Sequence, residues 1–338
     1  NITQFTDGSI SGTHPSSAIV AWNWTMNASG TYVGGTNSTD SIPQYIFDNC
    51  GIHNVTLEVT DANGCVESIT LPIEVWCNPT ADFQADPECF DDQPILFTDN
   101  STNGSGTINQ WNWNMGGTGT YVGGTSSTDS IPEYIYQDCG IYSVTLIVTD
   151  DNGCSHTIIK TVEVYCEPTA NFNYTPDCVG SPTLFTDSSY SDGTITNWIW
   201  NMGGTGNYVS GTNSNSQDPE FLYDSCGVYY VTLIIIDDNG CNDTIQDSVN
   251  VYCLPVPNFS ANPECQGNIT QFTDGSISGT HPSAAIVSWN WTMNEPGNYV
   301  GGTNSTSQNP QYIFDTCGFH DVTLEVTDAN GCVESITL

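Results

Sequence analysis

Basic side chains are almost missing from this 338-residue sequence, which has one lysine, Lys160, and no arginine. Aspartate and glutamate together number 38, so the formal net charge is −37 at pH 7. Nucleic-acid binding is excluded as a function, because the chain has almost no cations to neutralise phosphates. Anionic membrane surfaces repel such a chain.

Long hydrophobic runs and amphipathic helices are also missing. No apolar segment is long enough to span a bilayer, and no secretory signal peptide is visible. Fourteen cysteines, in contrast, recur at regular offsets. Regular cysteines in a loop-rich chain indicate disulfides and an oxidising compartment. We therefore expect an extracellular or cell-surface protein in which this segment does not insert into a membrane.

Self-similarity dominates the sequence. The string Cys-Gly-x-x-x-Val-Thr-Leu begins at Cys50, Cys139, Cys226 and Cys317, at spacings of 89, 87 and 91 residues. Around it, each unit repeats Phe-Thr-Asp, then Trp-x-Trp, then Asp-x-Asn-Gly-Cys. A fixed period of this length indicates a tandem array. The predicted repeats are 1–77, which lacks its first strand; 78–166 and 167–253, which are complete; and 254–338, which is truncated in its last strand.

A longer period lies above the first. Residues 1–71 and 268–338 differ at eleven positions, and the offset of 267 residues equals three repeats. The array is therefore expected to have grown by copying blocks of three repeats within a longer parent chain.

The periodicity within each unit is that of strands. One face of the segment 142–148 carries Tyr142, Val144, Leu146 and Val148, and Trp111, Trp113 and Met115 alternate in the same way. Asn-Gly between two alternating runs predicts a hairpin. About seven short strands in each repeat, lettered A to G in chain order, are typical of an immunoglobulin-like sandwich. We predict an all-β fold of tandem immunoglobulin-like sandwiches arranged as an elongated rod.

The order of these motifs resembles that of PKD (polycystic kidney disease) domains. The similar segments are Phe-Thr-Asp-x-Ser, Trp-x-Trp-x-Met-Gly-Gly, Pro-x-Tyr-x-Tyr and Asn-Gly-Cys, and they cover the whole chain four times. The chain is most similar to the cysteine-bearing kind found in tandem in giant surface proteins of Bacteroidota-type bacteria. One departure is clear: the family's Trp-Asp-Phe-Gly-Asp-Gly is here Trp113-Asn114-Met115-Gly116-Gly117, so the role of its two acidic positions is not carried over.

The resemblance implies a spacer, adhesion or force-bearing module. In gliding bacteria, similar arrays form long mobile surface adhesins. In secreted hydrolases, single copies act as spacers or assist polysaccharide binding. We therefore expect no enzymatic activity and a repetitive stalk of a giant extracellular adhesin or surface fibre, including a gliding-motility adhesin. The alternatives are a carbohydrate-binding spacer of a secreted hydrolase and a laterally self-assembling filament of several copies.

Sandwich topology limits the cysteine pairing. The A–B and E–F turns lie at the end where the chain leaves the sandwich, and the F–G turn and the incoming linker lie at the opposite end. Because bonded cysteines need Cα atoms within about 7 Å, we predict Cys89–Cys139, Cys178–Cys226, Cys265–Cys317, Cys77–Cys154, Cys166–Cys241 and Cys253–Cys332. Cys50 and Cys65 are then left without partners. A rival pattern pairs Cys139 with Cys166 across the last hairpin.

Aspartates end strands B and F in each repeat and predict a calcium site near the repeat junctions. The candidate ligands are Asp99, Asp150, Asp151, Asp187, Asp237 and Asp238. The alternative is that Asp-x-Asn-Gly only forms the turn. No other cofactor is expected.

Three further patterns need an interpretation. The tryptophan pairs are expected in the core rather than in a sugar-stacking platform. The histidines are irregular and have no expected catalytic or metal role; they are His14, His53, His156, His281 and His320. The family resemblance implies O-glycan acceptors in Asp-Ser/Thr-apolar triplets, at Ser41, Ser130, Thr244 and Ser248.

Overall fold

The computed structural model describes residues 2–13, 17–90, 93–280 and 284–338. Within these residues the regular structure is strand, and there is no helix, so the all-β prediction is confirmed. The chain divides into two units, Asn1–Tyr165 and Cys166–Leu338, each of which holds two of the predicted repeats.

Repeat 1 forms two three-stranded sheets. Their orders are β1-β4-β3 and β2-β5-β6. The strands are β1 (Thr3–Gln4), β2 (Ile19–Met26), β3 (Gly30–Val33), β4 (Gln44–Phe47), β5 (Gly51–Asp61) and β6 (Val66–Val75).

Repeat 2 forms two four-stranded sheets, ordered β11-β12-β9-β7 and β10-β13-β14-β8. The strands are β7 (Phe83–Ala85), β8 (Glu88–Cys89), β9 (Ile95–Asp99), β10 (Ile108–Asn114), β11 (Gly119–Val122), β12 (Glu133–Tyr136), β13 (Gly140–Asp150) and β14 (Ser155–Tyr165).

Repeat 3 has the same two sheets, ordered β15-β17-β20-β19 and β16-β22-β21-β18. The strands are β15 (Phe172–Thr175), β16 (Asp177–Cys178), β17 (Thr183–Asp187), β18 (Ile195–Asn201), β19 (Gly206–Tyr208), β20 (Glu220–Tyr223), β21 (Gly227–Asp237) and β22 (Asn242–Tyr252).

Repeat 4 has sheets of four and three strands, ordered β23-β24-β27-β26 and β25-β28-β29. The strands are β23 (Phe259–Ala261), β24 (Thr270–Asp274), β25 (Ile286–Met293), β26 (Gly297–Val300), β27 (Gln311–Phe314), β28 (Val322–Asp328) and β29 (Val333–Thr337).

Each pair of sheets encloses one hydrophobic core. In repeat 2, Phe97 of one sheet and Trp113 and Leu146 of the other belong to a single buried cluster, and equivalent clusters fill the other repeats. Burying large apolar side chains between the sheets is the main stabilising contribution. The prediction of tandem immunoglobulin-like sandwiches is therefore confirmed, while the repeat bounds stay predictions.

The first strand of a complete repeat is shared between both sheets. In repeat 3, β15 pairs antiparallel with β17, and the next short strand, β16, pairs parallel with β22. This change of sheet carries Cys178 to a position opposite Tyr252, at the end of β22. The A–B cysteine therefore lies beside the chain that leaves for the next repeat.

Candidate functional site at the repeat ends

A disulfide closes the open end of the last hairpin in repeat 1. Gly51 of β5 pairs with Val75 of β6, so the residues flanking this pair, Cys50 and Cys77, come together with their Cα atoms 4.9 Å apart. The bond spans 27 residues. The equivalent bond in repeat 3 joins Cys226 and Cys253 at the same Cα distance.

A second type of disulfide joins consecutive repeats within the unit Cys166–Leu338. Cys178 at the A–B turn of repeat 3 bonds Cys332 in the F–G turn of repeat 4, with Cα atoms 5.7 Å apart. The amide of Cys332 donates to the Asp328 carboxylate at 2.9 Å, which fixes the turn that presents the sulfur. The bond spans 154 residues and covalently fastens one sandwich to the next.

The remaining cysteines fall into two groups. Four are disulfide-bonded: Cys89, Cys139, Cys166 and Cys241. Four are free thiols: Cys65, Cys265 and Cys317, which are exposed, and Cys154, which is buried. Burial, with the Asp150 charge adding to it, raises the pKa of the Cys154 thiol.

Several predicted pairings are wrong. The structure contradicts Cys77–Cys154, Cys178–Cys226 and Cys253–Cys332, and it shows no bond between Cys265 and Cys317. Cys50, predicted to lack a partner, bonds Cys77. The linker cysteine was predicted to bond the F–G turn of the next repeat, but it bonds the E–F cysteine of its own hairpin in repeats 1 and 3, as in the rival pattern. The A–B cysteine was predicted to bond within its own sandwich, but Cys178 reaches the F–G turn of the next repeat, which also satisfies the distance limit.

Two predicted pairs, Cys89–Cys139 and Cys166–Cys241, involve bonded cysteines and stay predictions.

A signal for the hairpin bond was present in the sequence. The two cysteines that flank the last two strands are 27 residues apart in all three cases where both occur, whereas the predicted A–B to E–F separations vary from 48 to 52 residues. A constant separation is typical of a fixed strand register.

The aspartate of each Phe-Thr-Asp motif holds the first tryptophan of the same repeat. In repeat 2, Trp111 Nε1 donates to Asp99 Oδ2 at 2.7 Å, and the Ser101 amide donates to the other oxygen. The other pairs are Trp22 with Asp7, Trp198 with Asp187 and Trp289 with Asp274. The second tryptophan of each pair is buried at 7% exposure or less, which confirms the expected core role for it. The first tryptophan is half-buried and packs against the edge of the same core.

The aspartate that ends strand F forms the turn of the last hairpin. Asp150 Oδ1 accepts the amides of Asn152 and Cys154 at 3.0 and 2.8 Å, and the Gly153 amide donates to the Asp150 carbonyl. Gly153 has φ of +80°, which favours glycine there. In repeat 1 the backbone hydrogen bond from Cys65 lowers the pKa of Asp61. The Asx turn offered as the alternative to calcium is present.

The six candidate calcium ligands differ in what they could offer a cation. Both oxygens of Asp99 and of Asp187 already accept hydrogen bonds. Asp151 and Asp238 each accept an amide from the B–C loop. Asp237 Oδ2 accepts a hydrogen bond from Ser191, but Asp150 Oδ2 is buried with no partner. Among the described residues, no three His, Cys, Asp or Glu side chains form a group that could hold a metal.

Histidine replaces tyrosine at one structural position near the start of strand F. Tyr142 stacks on Tyr136 and donates to the Asp138 carbonyl at 2.6 Å. His53 stacks on Phe47 at 4.9 Å and contacts the Asn49 carbonyl through Nε2 at 2.8 Å. His320 stacks on Phe314 in the same way. His156 accepts a hydrogen bond from the Ala81 amide through Nδ1. His14 and His281 lie outside the described residues.

The lone lysine is held by its own repeat. Lys160 Nζ lies 2.6 Å from Asp82, donates to the Phe83 carbonyl at 2.5 Å and sits over the Phe83 ring. The hydrogen bond from Lys160 lowers the pKa of Asp82. The single cation is therefore paired within the fold.

The predicted glycan acceptors occupy two settings. Thr244 and Ser248 are exposed on β22, whereas Ser41 and Ser130 are half-buried in the loops before β4 and β12. O-glycosylation at these four positions stays a prediction. Among the described residues there is also no helix with the length and apolarity needed to cross a membrane.

The sequence of the chain is similar to that of one family of domains. The model of the PKD domain family matches residues 76–166 and 165–252. A 154-residue stretch is 32% identical to the pre-pro-metalloprotease PrtV of Vibrio cholerae serotype O1 (strain M66-2), and this match covers 45% of the chain and 15% of PrtV. The chain thus spans a small part of this curated relative.

Two solved structures are similar to single repeats. The PKD1 domain of Vibrio anguillarum Epp is 27% identical over 25% of this chain and 93% of that chain, with a TM-score of 0.22. The PKD1 domain of the Vibrio cholerae metalloprotease PrtV is 29% identical over 25% of this chain and 96% of that chain, with a TM-score of 0.21. Since the family model covers more than half of the sequence and each repeat is a β-sandwich, this chain belongs to the PKD domain family.

Proposed function

We propose that this segment is a repetitive structural stalk of a giant extracellular adhesin or surface fibre, which bears load and displays a binding tip. The observation that carries the proposal is the Cys178–Cys332 bond, which fastens consecutive PKD domains. A bond between domains does nothing for the fold of either sandwich alone. It restricts how the two domains move relative to each other, which is what a load-bearing array requires.

Three further features support an extracellular structural role. Disulfides persist in oxidising compartments. A net charge of −37 keeps a long chain soluble and prevents non-specific association. The repeated polar motifs are used by the fold itself, since the Phe-Thr-Asp aspartates hold tryptophans and the Asp-x-Asn-Gly aspartates hold turns. The proposal includes an adhesin of gliding Bacteroidota.

Labelling intact source cells with a gold-conjugated antibody against the repeat tests the proposal. Long labelled threads rooted on the cell are expected, and moving threads on live cells would support a gliding role. Label confined to the medium, together with co-purifying hydrolase activity, would overturn the stalk. Ordered lateral bundles of purified chain would instead support the filament.

A second candidate is a spacer in a secreted hydrolase. It is favoured by the 32% identity to a stretch of PrtV, which is a pre-pro-metalloprotease. Binding of this chain to insoluble polysaccharide, measured by pull-down, would favour a carbohydrate-binding spacer. The stalk proposal expects no more binding than a denatured and carboxymethylated sample shows.

We also propose Ca²⁺ as a structural ion at the F–G turns. The buried, unpartnered Oδ2 of Asp150 supports it, because an uncompensated buried carboxylate oxygen is costly and oxygen ligands suit Ca²⁺. Asp328 Oδ2 is in the same state. Calorimetric titration with CaCl₂ should give binding heats that are smaller for Asp150→Asn than for the unsubstituted chain. The control Asp40→Asn should give unchanged heats. Equal heats for the unsubstituted chain and both variants would contradict the site.

A further inference from the structure

The disulfide between repeats 3 and 4 joins two positions that recur in the other repeats. It joins the A–B cysteine of one repeat to the F–G cysteine of the next, Cys178 to Cys332. The equivalent A–B and F–G cysteines Cys89 and Cys241 are disulfide-bonded as well. Three of the four free thiols occupy these same two positions: Cys265 is an A–B cysteine, and Cys65 and Cys154 are F–G cysteines. Cys154 is buried, so Cys265 and Cys65 are the two that an outside partner can reach.

Cys65 has the local structure of a bonded F–G cysteine. Residues 55–71 are identical to residues 322–338, so Cys65 and Cys332 have the same neighbours in sequence. The Cys65 amide donates to Asp61 at 2.8 Å, and the Cys332 amide donates to Asp328 at 2.9 Å. Cys65 nevertheless is an exposed free thiol.

The turn after Cys265 matches the turn after the bonded A–B cysteine Cys178, although Cys178 lies in strand β16 and Cys265 lies in no strand. The carbonyl of Cys178 accepts the Ser181 amide at 3.0 Å, and the carbonyl of Cys265 accepts the Asn268 amide at 2.9 Å. A glycine with positive φ lies two residues after each cysteine, Gly180 at +98° and Gly267 at +84°. The turn that presents the bonded sulfur is therefore already formed around the free one.

We propose that Cys265 and Cys65 are the two complementary halves of one linkage, and that each bonds a further PKD repeat carrying the other half. A second copy of this chain carries both halves, so copies would join head to tail through Cys265 of one and Cys65 of the next. This proposal deepens the stalk function by adding a covalent rule for joining repeats. Its test uses purified chain alone, so it can fail while the stalk proposal stands.

The linkage needs a disulfide oxidant, for which oxidised glutathione serves. One cysteine thiolate attacks the glutathione disulfide, forming a mixed disulfide and releasing one glutathione thiolate. The second cysteine thiolate attacks the mixed disulfide and releases the other glutathione. The two protein thiols lose two protons and two electrons, and the oxidant becomes two glutathione thiols. Because two copies of charge −37 repel each other, the reaction requires salt that screens them.

The test oxidises concentrated chain at 0.5 M NaCl with its existing disulfides intact. One sample is the unsubstituted chain, and all others carry Cys317→Ser, which removes the neighbouring exposed thiol. Non-reducing gels should show a ladder of multimers, and peptide mapping should identify Cys65–Cys265 as the linkage. Adding Cys65→Ser or Cys265→Ser should each leave monomer. An equal mixture of these two variants should give dimer and nothing larger, at a yield at least tenfold above either variant alone.

Three outcomes would overturn the proposal. The first is a chain with Cys317→Ser that stays monomeric. The second is symmetric Cys65–Cys65 or Cys265–Cys265 dimers in the single variants at the yield of the mixture. The third is a Cys265–Cys317 bond in the unsubstituted chain, which would restore the pairing expected from a single sandwich. All three substituted thiols are exposed, so we expect each serine variant to keep the fold.

Discussion

Repeats 1 and 4 are near-copies that fold differently at one end. Strand F of repeat 1, β5, begins at Gly51 and pairs with β6 as far as Val75. In repeat 4 the corresponding strand, β28, begins only at Val322. Residues 318–321, the equivalents of 51–54, have no strand partner, and Phe319 is fully exposed.

The difference arises in the residues after the shared sequence. In repeat 1, residues 72–77 complete strand G and supply Cys77 for the bond to Cys50. In repeat 4, a cavity of about 440 Å³ takes the place of such a strand, lined in part by Phe259, Phe272 and Phe314. In repeat 1 the start of strand F is therefore held by its partner strand and its disulfide, both of which depend on residues 72–77. The segment itself also differs between the repeats, since Ile52 and Asn54 correspond to Phe319 and Asp321.

Extending repeat 4 should have the largest effect. Adding Pro-Ile-Glu-Val-Trp-Cys, the sequence of residues 72–77, after Leu338 should close the cavity and bond Cys317. The expected gain in unfolding free energy of repeat 4 is about 5 kcal/mol, of which about 3.5 comes from the disulfide and the rest from burying apolar side chains. Hydrogen exchange should show new protection at residues 318–321. The same extension ending in serine instead of cysteine should give only the smaller gain from apolar burial. If residues 318–321 gain no protection with either extension, strand G does not hold the start of strand F.

Breaking the hairpin bond of repeat 1 should make it resemble repeat 4. The double substitution Cys50→Ser/Cys77→Ser should cost repeat 1 about 3.5 kcal/mol of unfolding free energy, since the closed loop of 27 residues regains its entropy when unfolded. Hydrogen exchange at residues 51–54 should rise to the rate at 318–321. Cys317→Ser is the matched control and should change stability by less than about 0.5 kcal/mol. Unchanged exchange at 51–54 would show that pairing alone holds the strand.

Gly279→Ala should lower the unfolding free energy of repeat 4 by about 2 kcal/mol, because the added Cβ would lie 2.2 Å from the Cys253 carbonyl oxygen. The equivalent Gly12→Ala in repeat 1 is the matched control, since its nearest neighbour would be Ser17 Cβ at 3.5 Å. Thermal unfolding of the two variants measures the difference. Equal losses would mean that the linker cysteine does not constrain this loop.

Asp274→Asn should have the smallest effect, a loss of about 1 kcal/mol of unfolding free energy at pH 7. This loss should disappear in acid. Partial burial acts to raise the pKa of Asp274, but the hydrogen bonds from Ser276, Trp289 and Gln308 outweigh it and hold the pKa below its ordinary value of 3.8. A carboxyl whose pKa is lower in the folded state stabilises above pH 3.8 and loses that contribution as pH falls through the folded value.

Urea unfolding at pH 7 and at pH 2.5 tests this sign. The difference between wild type and Asp274→Asn should shrink at the lower pH. Asp321→Asn, which copies the exposed Asn54 of repeat 1, is the control and removes a carboxylate that makes no hydrogen bond to a tryptophan. A difference that grows in acid would contradict the role of the tryptophan hydrogen bond.

Local patterns were sufficient to predict the sandwiches. The alternation around Val144, Leu146 and Val148 placed three side chains that are fully buried, and Asn-Gly marked the hairpin turns. The partner of Asp99 was not predicted, because strand B and strand C are brought together only by the fold. The recurrence of both Asp and Trp in every repeat was the available signal.

The two types of disulfide also differ in whether a sequence pattern could predict them. The hairpin bond depends on strand register and left a constant spacing in the sequence. The Cys178–Cys332 bond depends on how two sandwiches meet, and no pattern within one repeat contains that information. Long-range pairing is therefore the part of this fold that sequence reasoning missed.

The Cys178–Cys332 bond also sets how far the chain can be stretched. A pull on the two ends of the unit reaches Cys178 and passes through the sulfurs to Cys332, so the 154-residue segment between them is bypassed. At about 3.5 Å per extended residue, on the order of 500 Å of polypeptide cannot unravel while the bond is intact. Reduction would release that length, so the redox state of the surroundings determines whether the segment between Cys178 and Cys332 can lengthen under tension.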